Sequence, residues 1–485
     1  MALIACFAGI ALRILKLRRQ RVARYRHVNL GGYVGNGPFR PSWTIIDTGH
    51  KLPVFYGEGN YMRVFRASLA LVGALAALFS APVSAAPACS GAEIPVRAAP
   101  SGEGQIIRNA SELSTVLQQA RGGEIFALEP GNYGLLRVNK VYQSDVTIRS
   151  ANPASPACFT GFFLGGTANL VLDSLYFDYV FKNGDPHFSF PFSIGESRHI
   201  QISNSVFDGD FAHDTNSEAD GYGFGVGLRT WRSSDIRVSG SVFRKWWSGT
   251  LAGQSARIAY IGNTIHTIRS DGINLDAITG LTIEKNHLYD FGGAAGSMDH
   301  RDMIQIMRVT PSGSSDIVIR DNVFDMGRGD FTQTIWAGGD GKDLGNRNMR
   351  HRNVLIENNI IYNAHVHGIS IHGSDNISVR KNSVIRVPGG HSTPAINISG
   401  DSTSVVIEQN AVANIIGHNN QRDWVVLNNA FIQNENSSKR GFYDREFVYH
   451  ARGEKNGYNE YGVRAGSTVD QLNAGSSLAN NYPTR

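Results

Sequence analysis

A short segment recurs eight times through the middle of this 485-residue chain. Each copy has an alternating apolar strand, a polar turn residue and a second apolar strand, as in IRVSGSVF (236–243) and VLIENNII (354–361). The shortest interval between turn residues is 22 or 23 residues, and other intervals carry inserts. The turn residues are Ser205, Ser241, Asn263, Asn286, Asn322, Asn359, Asn382 and Asn410. A unit this short cannot bury its apolar side chains alone, so the copies must stack.

The stacked units predict an all-β fold, a right-handed parallel β-helix in which each unit is one coil. A β-propeller would need four strands in about 40–45 residues. An antiparallel sandwich would show turns about every 8–12 residues without a longer sequence repeat of constant length. The 54 glycines and the charged fraction of only 18% agree with a turn-rich β protein. We expect the Asn side chains to form a hydrogen-bonded ladder from coil to coil.

A helix signal precedes the coils, and a segment without the repeat follows them. Asn109 is the candidate N-cap, Glu112 stands at the capping-box position, and Gly122 supplies the C-terminal stop. Such a short amphipathic helix can cap the end of a solenoid. We therefore assign 86–430 to the β-helix. The polar and aromatic residues 431–485 form a tail that either covers the open end or packs along the side.

The N-terminal region has the pattern of an export signal. A basic start, an apolar run and a small-residue cleavage site, the parts of a secretory signal peptide, occupy 62–85. Translation is expected to begin at Met62, which makes 1–61 a non-native extension; the alternative is a membrane-surface segment. The apolar run is shorter than the roughly 20 residues of a membrane span. The mature protein is therefore expected to be periplasmic or secreted, where Cys89 and Cys158 are either disulfide-bonded or two buried thiols.

The net charge of +5 comes from the leader. The first 85 residues carry eleven Lys or Arg and two acidic residues, which leaves 35 basic and 39 acidic residues in the remainder. A mildly acidic body argues against nucleic acid as a partner. The fixed turn spacing and capped ends predict a monomer.

Chemically active side chains gather on the strands that precede each turn strand. With Ile273, Ile304 and their equivalents placed inward, the position two residues earlier forms one outward column. Its members are Ser248, Asp271, Asp302, Gln333, His367 and Pro394. The position after the inward residue forms a second column of Asn274, Gln305, Trp336, Ser370 and Asn397. Ionisable groups clustered in a cleft tend to be functional, although turn capping is the alternative for either Asp alone.

The capping segment SELSTVLQQARGGEIFALEPGNY (111–133) and the coils to about residue 430 resemble exported β-helix enzymes that act on polysaccharides. These are the alginate-lyase and chondroitinase-B-like lyases and the mannuronan C5-epimerases. The resemblance implies action on an acidic polysaccharide. The epimerases carry Asp-Pro-His-Asp, whereas this chain has Asp299-His300-Arg301-Asp302. The lyases pair a Lys with an Arg, and no local motif identifies that pair here.

Removing the C5 proton of a uronic acid needs a base and a partner for the sugar carboxylate. His300 is the leading candidate base, and Arg301 or Arg269 would neutralise the carboxylate. Asp271 and Asp302 would orient imidazoles or, with Asn274, offer oxygen ligands to Ca²⁺, the one cofactor left open. The candidate catalytic set is His300, Arg301, Asp302, Asp271, His367, Arg269 and Lys245. The candidate substrate-binding set is Asn274, Gln305, Trp336, His372 and Trp247, and Trp246 is a further stacking candidate.

The leading hypothesis is an exported lyase that cleaves a uronic-acid polymer by β-elimination. A C5-epimerase shares the first step, a glycoside hydrolase would use paired carboxylates, and a carbohydrate-binding protein or adhesin would need no catalysis. We predict no zinc site, because His365 and His367 alternate along one strand and should point to opposite faces.

Overall fold

The computed structural model describes residues 104–480, except 187, 295–296, 298, 340–345, 391 and 453–457. The predicted extension 1–61, the signal peptide and Cys89 lie outside the described residues, while Cys158 is buried and disulfide-bonded. Within the described part, no helix has the length and apolar character needed to cross a membrane.

The strands stack in parallel into three faces, and the chain passes over each face once per coil. The first face contains Leu135–Val138, Gly161–Gly165, Phe192–Gly195, Val226–Trp231, Ser248–Ile261, Ile273–Glu284, Asp302–Met307, Gln333–Ala337, His367–Ile371, Ala395–Ile398 and Ile415–Ile416. The second face contains Gln105–Ile107, Ile125–Leu128, Val141–Ser150, Ala168–Asp173, Arg198–Ser203, Ser234–Ser239, Ser315–Arg320, His351–Glu357, Ser374–Arg380, Thr403–Glu408 and Trp424–Leu427. The long strands Ser248–Ile261 and Ile273–Glu284 continue from the first face onto the second.

The third face holds the short apolar strand that follows each turn. Its strands are Gly131–Asn132, Ala157–Phe159, Tyr176–Asp178, Val206–Asp208, Val242–Arg244, Thr264–His266, His287–Tyr289, Val323–Asp325, Ile360–Asn363, Ser383–Arg386, Ala411–Val412 and Ala430–Phe431. Inward side chains of the three faces meet in one core, where Ile273, Ile304 and Ile335 are fully buried. The predicted right-handed parallel β-helix is confirmed.

The polar turn residues form the predicted ladder. The backbone N–H of Asn286 donates to Oδ1 of Asn322 at 2.9 Å, and the N–H of Asn322 donates to Oδ1 of Asn359 at 3.0 Å. The ladder extends one coil further than predicted, because Asn410 donates to Asn429 at 3.0 Å. The residue before a ladder position takes a left-handed backbone conformation, as at Lys285 with φ of 56°. This conformation turns the chain sharply between the second and third faces.

The capping helix α1 spans Ala110–Gln119. The Asn109 side chain accepts a hydrogen bond from the Glu112 N–H at 2.9 Å, as the sequence predicts. The Glu112 carboxylate accepts from the Arg108 N–H at 2.8 Å rather than from Asn109, one residue away from the standard capping box. Leu113 and Leu117 enter the core, so the helix covers the inward side chains of the first coils.

The tail packs along the third face. It contains the short helices α2 (Tyr443–Glu446) and α3 (Thr468–Gln471) and an antiparallel pair, Phe447–Arg452 with Tyr458–Val463. The ring of Tyr461 lies 5.4 Å from that of Tyr362, centroid to centroid. The Ser476 N–H donates to the Ser383 hydroxyl at 2.8 Å. These contacts attach the tail to third-face coils.

Candidate functional site

The candidate site forms where two adjacent coils enter the first face. Ile273 pairs with Ile304, which puts Asp271 beside Asp302 on the neighbouring coil. Met303 and Ile304 both enter the core, so strand alternation fails at this corner and Asp302 turns away from the core. Gly272 permits the close approach, since a Cβ there would lie 2.5 Å from the Met303 carbonyl oxygen.

His300 lies over these two buried carboxyl groups. Its side chain is 54% exposed, and its Nδ1 atom lies 2.8 Å from Oδ2 of Asp302, whose side chain is fully buried. The Asp302 N–H donates to Oδ1 of Asp271 at 3.1 Å. The Ser270 hydroxyl donates to the carbonyl of His300 and anchors its loop. A carboxylate in this position fixes the orientation of an imidazole that moves protons.

Amide side chains complete the surroundings of the imidazole. The Gln333 Nε2 atom lies 2.7 Å from Nε2 of His300, and Gln305 Nε2 lies 3.3 Å from Nδ1. An amide nitrogen only donates, so the shorter contact gives Nε2 the acceptor role and leaves the Nδ1 proton to Asp302. Asn274 Nδ2 donates to Asp271 at 2.8 Å and to Gln305 at 2.9 Å. This arrangement makes Nε2 the basic nitrogen of the ring, with its lone pair held by the Gln333 amide until a substrate displaces that amide.

Burial sets the protonation of the site. Burial, together with repulsion from Asp302, raises the pKa of Asp271 to about 7. Burial also raises the pKa of Asp302, while the hydrogen bond and charge of His300 act against that rise. Burial lowers the pKa of His367, which the charge of Asp302 partly offsets. Asp271 is therefore about half protonated near pH 7, and it lies beside Asp302, whose pKa burial also raises.

The structure corrects the role predicted for Arg269. Its guanidinium makes a two-pronged ion pair with Asp299, at 2.7 and 3.2 Å, and both side chains are buried. Trp247 Nε1 donates to the same carboxylate at 3.4 Å. Trp246, the other stacking candidate, is fully buried and donates to the Phe207 carbonyl, so it belongs to the core. Arg269 is therefore buried and paired with Asp299, which opposes the predicted contact with a sugar carboxylate.

Lys245 and Arg301 also pair with carboxylates outside the cluster. The Lys245 ammonium lies 3.1 Å from Asp208, a buried carboxylate of the third face. Arg301 Nη1 lies 3.7 Å from Asp330, and its side chain is 23% exposed. Of the two, Arg301 follows His300 directly in the chain, and its partner Asp330 is exposed. The charge of Arg301 also acts on His365, so Arg301 remains the candidate cation of the site.

The expectation that His365 and His367 point to opposite faces is wrong. Their rings stack at 5.3 Å, because the strand begins only at His367 and alternation does not apply before it. Burial lowers the pKa of His365 to about 4. His367 Nδ1 lies 2.7 Å from the Ser370 hydroxyl oxygen, one coil beyond Gln333.

Trp336 and His372 form a stacked pair at 5.0 Å in the coils beyond His300. Arg308, which the sequence analysis missed, is buried beneath them and donates to the His372 and Gly373 carbonyls. Asp299 was also missed as the partner of an arginine. No local pattern signals either contact, since Arg308 and His372 are 64 residues apart.

The donor set fits Ca²⁺ poorly. One ligand atom each from Asp271, His300 and Asp302 can be chosen so that all three lie within 4.8 Å of one another. Ca²⁺ takes roughly six to eight oxygen ligands, whereas this cluster offers one imidazole, two carboxylates and the buried Oδ1 of Asn274. Both Asp271 oxygens already accept hydrogen bonds. The cluster is better suited to holding protons than to holding Ca²⁺.

Comparisons with known proteins agree with the fold. A family profile described as right handed beta helix region matches residues 192–412. No curated protein sequence matches the chain. Among solved structures, the Dettilon tailspike protein is 15% identical with a TM-score of 0.43, and the match covers 69% of this chain and 63% of that protein.

Two further structures are similarly distant. An alginate lyase from Paenibacillus sp. str. FPU-7 is 14% identical with a TM-score of 0.33, over 66% of this chain and 96% of the lyase. A surface adhesin of Streptococcus pneumoniae is 11% identical with a TM-score of 0.43, over 73% of this chain and 95% of the adhesin.

Proposed function

We propose that this right-handed parallel β-helix protein is an exported lyase that cleaves uronic-acid polysaccharides by β-elimination, with His300 as its base. One observation carries the proposal: an exposed imidazole whose Nδ1 lies 2.8 Å from the buried carboxylate of Asp302. A buried carboxylate stabilises the imidazolium that forms when Nε2 accepts a proton. The resemblance of the capping segment and coils to lyases of acidic polysaccharides supports the choice of substrate.

The reaction needs few groups. Nε2 of His300 takes the C5 proton, and the C–H electron pair forms the C4–C5 double bond. The bond from C4 to the glycosidic oxygen breaks, and the imidazolium returns its proton to that oxygen. Arg301 pairs with the sugar carboxylate and makes the C5 proton more acidic. Asp302 holds the ring throughout, and Asp271 beneath it exchanges a proton near neutral pH, because burial raises its pKa to about 7.

Burial of the carboxyl groups argues against a glycoside hydrolase. A hydrolase needs two carboxyl groups that touch the glycosidic bond and its attacking water or sugar carbon. The Asp302 side chain is fully buried, and Asp271 is only 5% exposed. The accessible proton-transfer group over them is the imidazole of His300.

Product analysis tests the proposal. The exported protein is incubated with alginate and with polygalacturonate in D₂O, and products are followed by ultraviolet absorbance and NMR. A lyase forms chain ends with a C4–C5 double bond, which absorb in the ultraviolet. Deuterium at C5 without chain cleavage would contradict a lyase and indicate an epimerase. Binding of the polymer without deuterium exchange or cleavage would indicate a carbohydrate-binding protein.

A further inference from the structure

The first face continues from the candidate site toward the N-terminal coils. The outward position held by Asn274 pairs in register with Leu251, and Leu251 pairs with Arg229 on the next coil. The same column continues through Ser193 and Phe163 to Arg137. With coils about 4.8 Å apart, Arg229 lies about 10 Å and Arg137 about 24 Å from Asn274 along the coil axis.

Aromatic rings hold both arginines of this column. The Arg229 guanidinium lies 4.9 Å from the Phe190 ring centroid and 5.3 Å from that of Trp231. The Arg137 guanidinium lies 4.8 Å from the centroid of Phe163, which is 39% exposed. We call these five residues the Arg–aromatic strip. A guanidinium stacked on rings has its N–H donors at its edge, in the geometry that meets a carboxylate with two hydrogen bonds.

The backbone beneath the strip accommodates its indole. A Cβ at Gly253 would lie 2.1 Å from the ring of Trp231, so only glycine lets the indole lie against the next coil. That coil is the one between Trp231 and the candidate site. The indole and the phenyl rings provide flat apolar surface of the kind on which the faces of sugar rings stack.

Arginines on the second face have different contacts. Arg257 pairs with Asp235 and Arg320 with Glu284, each on a neighbouring coil. Such cross-coil ion pairs are a usual way to satisfy stacked charges in a solenoid. The Arg–aromatic strip has ring contacts and exposed apolar surface next to them, and this combination suits a ligand that is flat and anionic.

We propose that the Arg–aromatic strip binds the part of an anionic polysaccharide that extends from the candidate site toward the N-terminal coils. The inference rests on the proposed function for its direction and substrate class. Rings stack on the sugar faces, and Arg229 and Arg137 pair with carboxylates of separate uronic-acid units. The strip therefore selects long acidic chains over neutral ones.

The test uses the full exported chain with Arg137→Gln and Arg229→Gln combined. Binding to immobilised alginate, polygalacturonate and neutral dextran is measured at low and high salt. Loss of each charge-assisted contact should weaken binding to the acidic polymers about tenfold, and the salt dependence should shrink. Arg237→Gln, an exposed arginine of the same coil on the second face, is the matched control and should bind like the parent.

The outcomes separate this inference from the proposed function. Unaltered polymer affinity and KM in the double variant, with a thermal unfolding curve like the parent's, would reject the proposed binding role of the Arg–aromatic strip. Equal binding of the parent to dextran and to the acidic polymers would also overturn it. The double variant could bind acidic polymers more weakly than a parent that itself forms no unsaturated product. That result would support the binding role of the Arg–aromatic strip and reject the lyase activity.

Discussion

In the proposed mechanism, Asp302 acts on the chemistry through His300. The replacement Asp302→Asn removes the negative charge beneath Nδ1 at 2.8 Å and permits the wrong orientation of the ring. We expect the rate of polymer cleavage to fall about 10²–10⁴-fold, with a melting temperature near that of the parent. Initial rates of unsaturated product formation and thermal unfolding give the two readouts.

The matched control is Asp276→Asn on the adjacent coil, where Asp276 pairs in register with Met307. Asp276 is also buried, and its carboxylate accepts hydrogen bonds from the backbone N–H groups of Val309 and Thr310 without contacting His300. This variant should keep the parent's rate. Equal rates for Asp302→Asn and the parent would reject the assigned orientation of His300.

Asp271 makes the stability of the protein depend on pH. Its pKa is raised to about 7 in the folded chain, against about 4 for an unfolded Asp. The stabilisation is therefore complete below about pH 4 and is lost as pH rises through about 7. Asp271→Asn should weaken this fall and raise the melting temperature at about pH 8 by a few degrees.

Melting curves at about pH 5 and about pH 8 check this prediction. Asp235→Asn is the control, because Arg257 lowers the pKa of Asp235 and gives its contribution the opposite sign. An Asp271→Asn protein with the same fall in stability as the parent would show that another group is responsible.

Local pattern predicted the column of the site but not the partners of its charges. The spacing of the coils placed Asp302 beside Gln333, and the strand register confirms that pair. The partner of Arg269 is Asp299, 30 residues away, in an insert that lacks the repeat. The geometry of an insert follows from tertiary packing, so the sequence could not predict that Arg269 pairs with Asp299.

The Asn ladder stabilises the turns between the second and third faces. Asn322 accepts from the Asn286 backbone and side chain, and its amide donates to the Ile283 carbonyl and to Asn359, all at 2.9 to 3.0 Å. Asn322→Ala leaves these buried groups without partners. We expect a loss of about 3 kcal/mol in the free energy of unfolding, measured by denaturant titration.

The exposed Asn419 offers a control for the ladder. Asn419→Ala should change the free energy of unfolding by no more than about 0.5 kcal/mol. A similar small effect from Asn322→Ala would show that the ladder contributes little to stability.

Elements were predictable where a polar turn residue recurs between the same two apolar strands, even though inserts lengthen some intervals. The Asn ladder met that condition, and its next described member, Asn429, was missed because this interval shortens to 19 residues. A second ladder at the corner between the first and second faces was also missed. It mixes residue types: the Ser197 N–H donates to the Ser233 hydroxyl at 3.1 Å, whereas the Ser314 N–H donates to the His351 ring at 3.0 Å. No single residue type therefore marks every coil of this ladder.

Across the described chain, the first face carries both the candidate site and the Arg–aromatic strip, and the tail packs on the third face. Stacking explains this division, because each outward column repeats one position over many coils and can hold a long polymer along its axis. Periodicity predicts such columns. Periodicity does not predict where inserts interrupt these columns. The candidate site lies next to one such insert, the segment that precedes the strand Asp302–Met307.

Chemical rescue tests the central claim that His300 moves the proton. His300→Ala protein is incubated with the uronic-acid polymer that the parent cleaves, and ultraviolet absorbance follows the unsaturated product with and without added imidazole. The account predicts that His300→Ala forms almost no product and that imidazole restores part of the rate while the melting temperature stays near the parent's. Cleavage by His300→Ala at the parent's rate would contradict it.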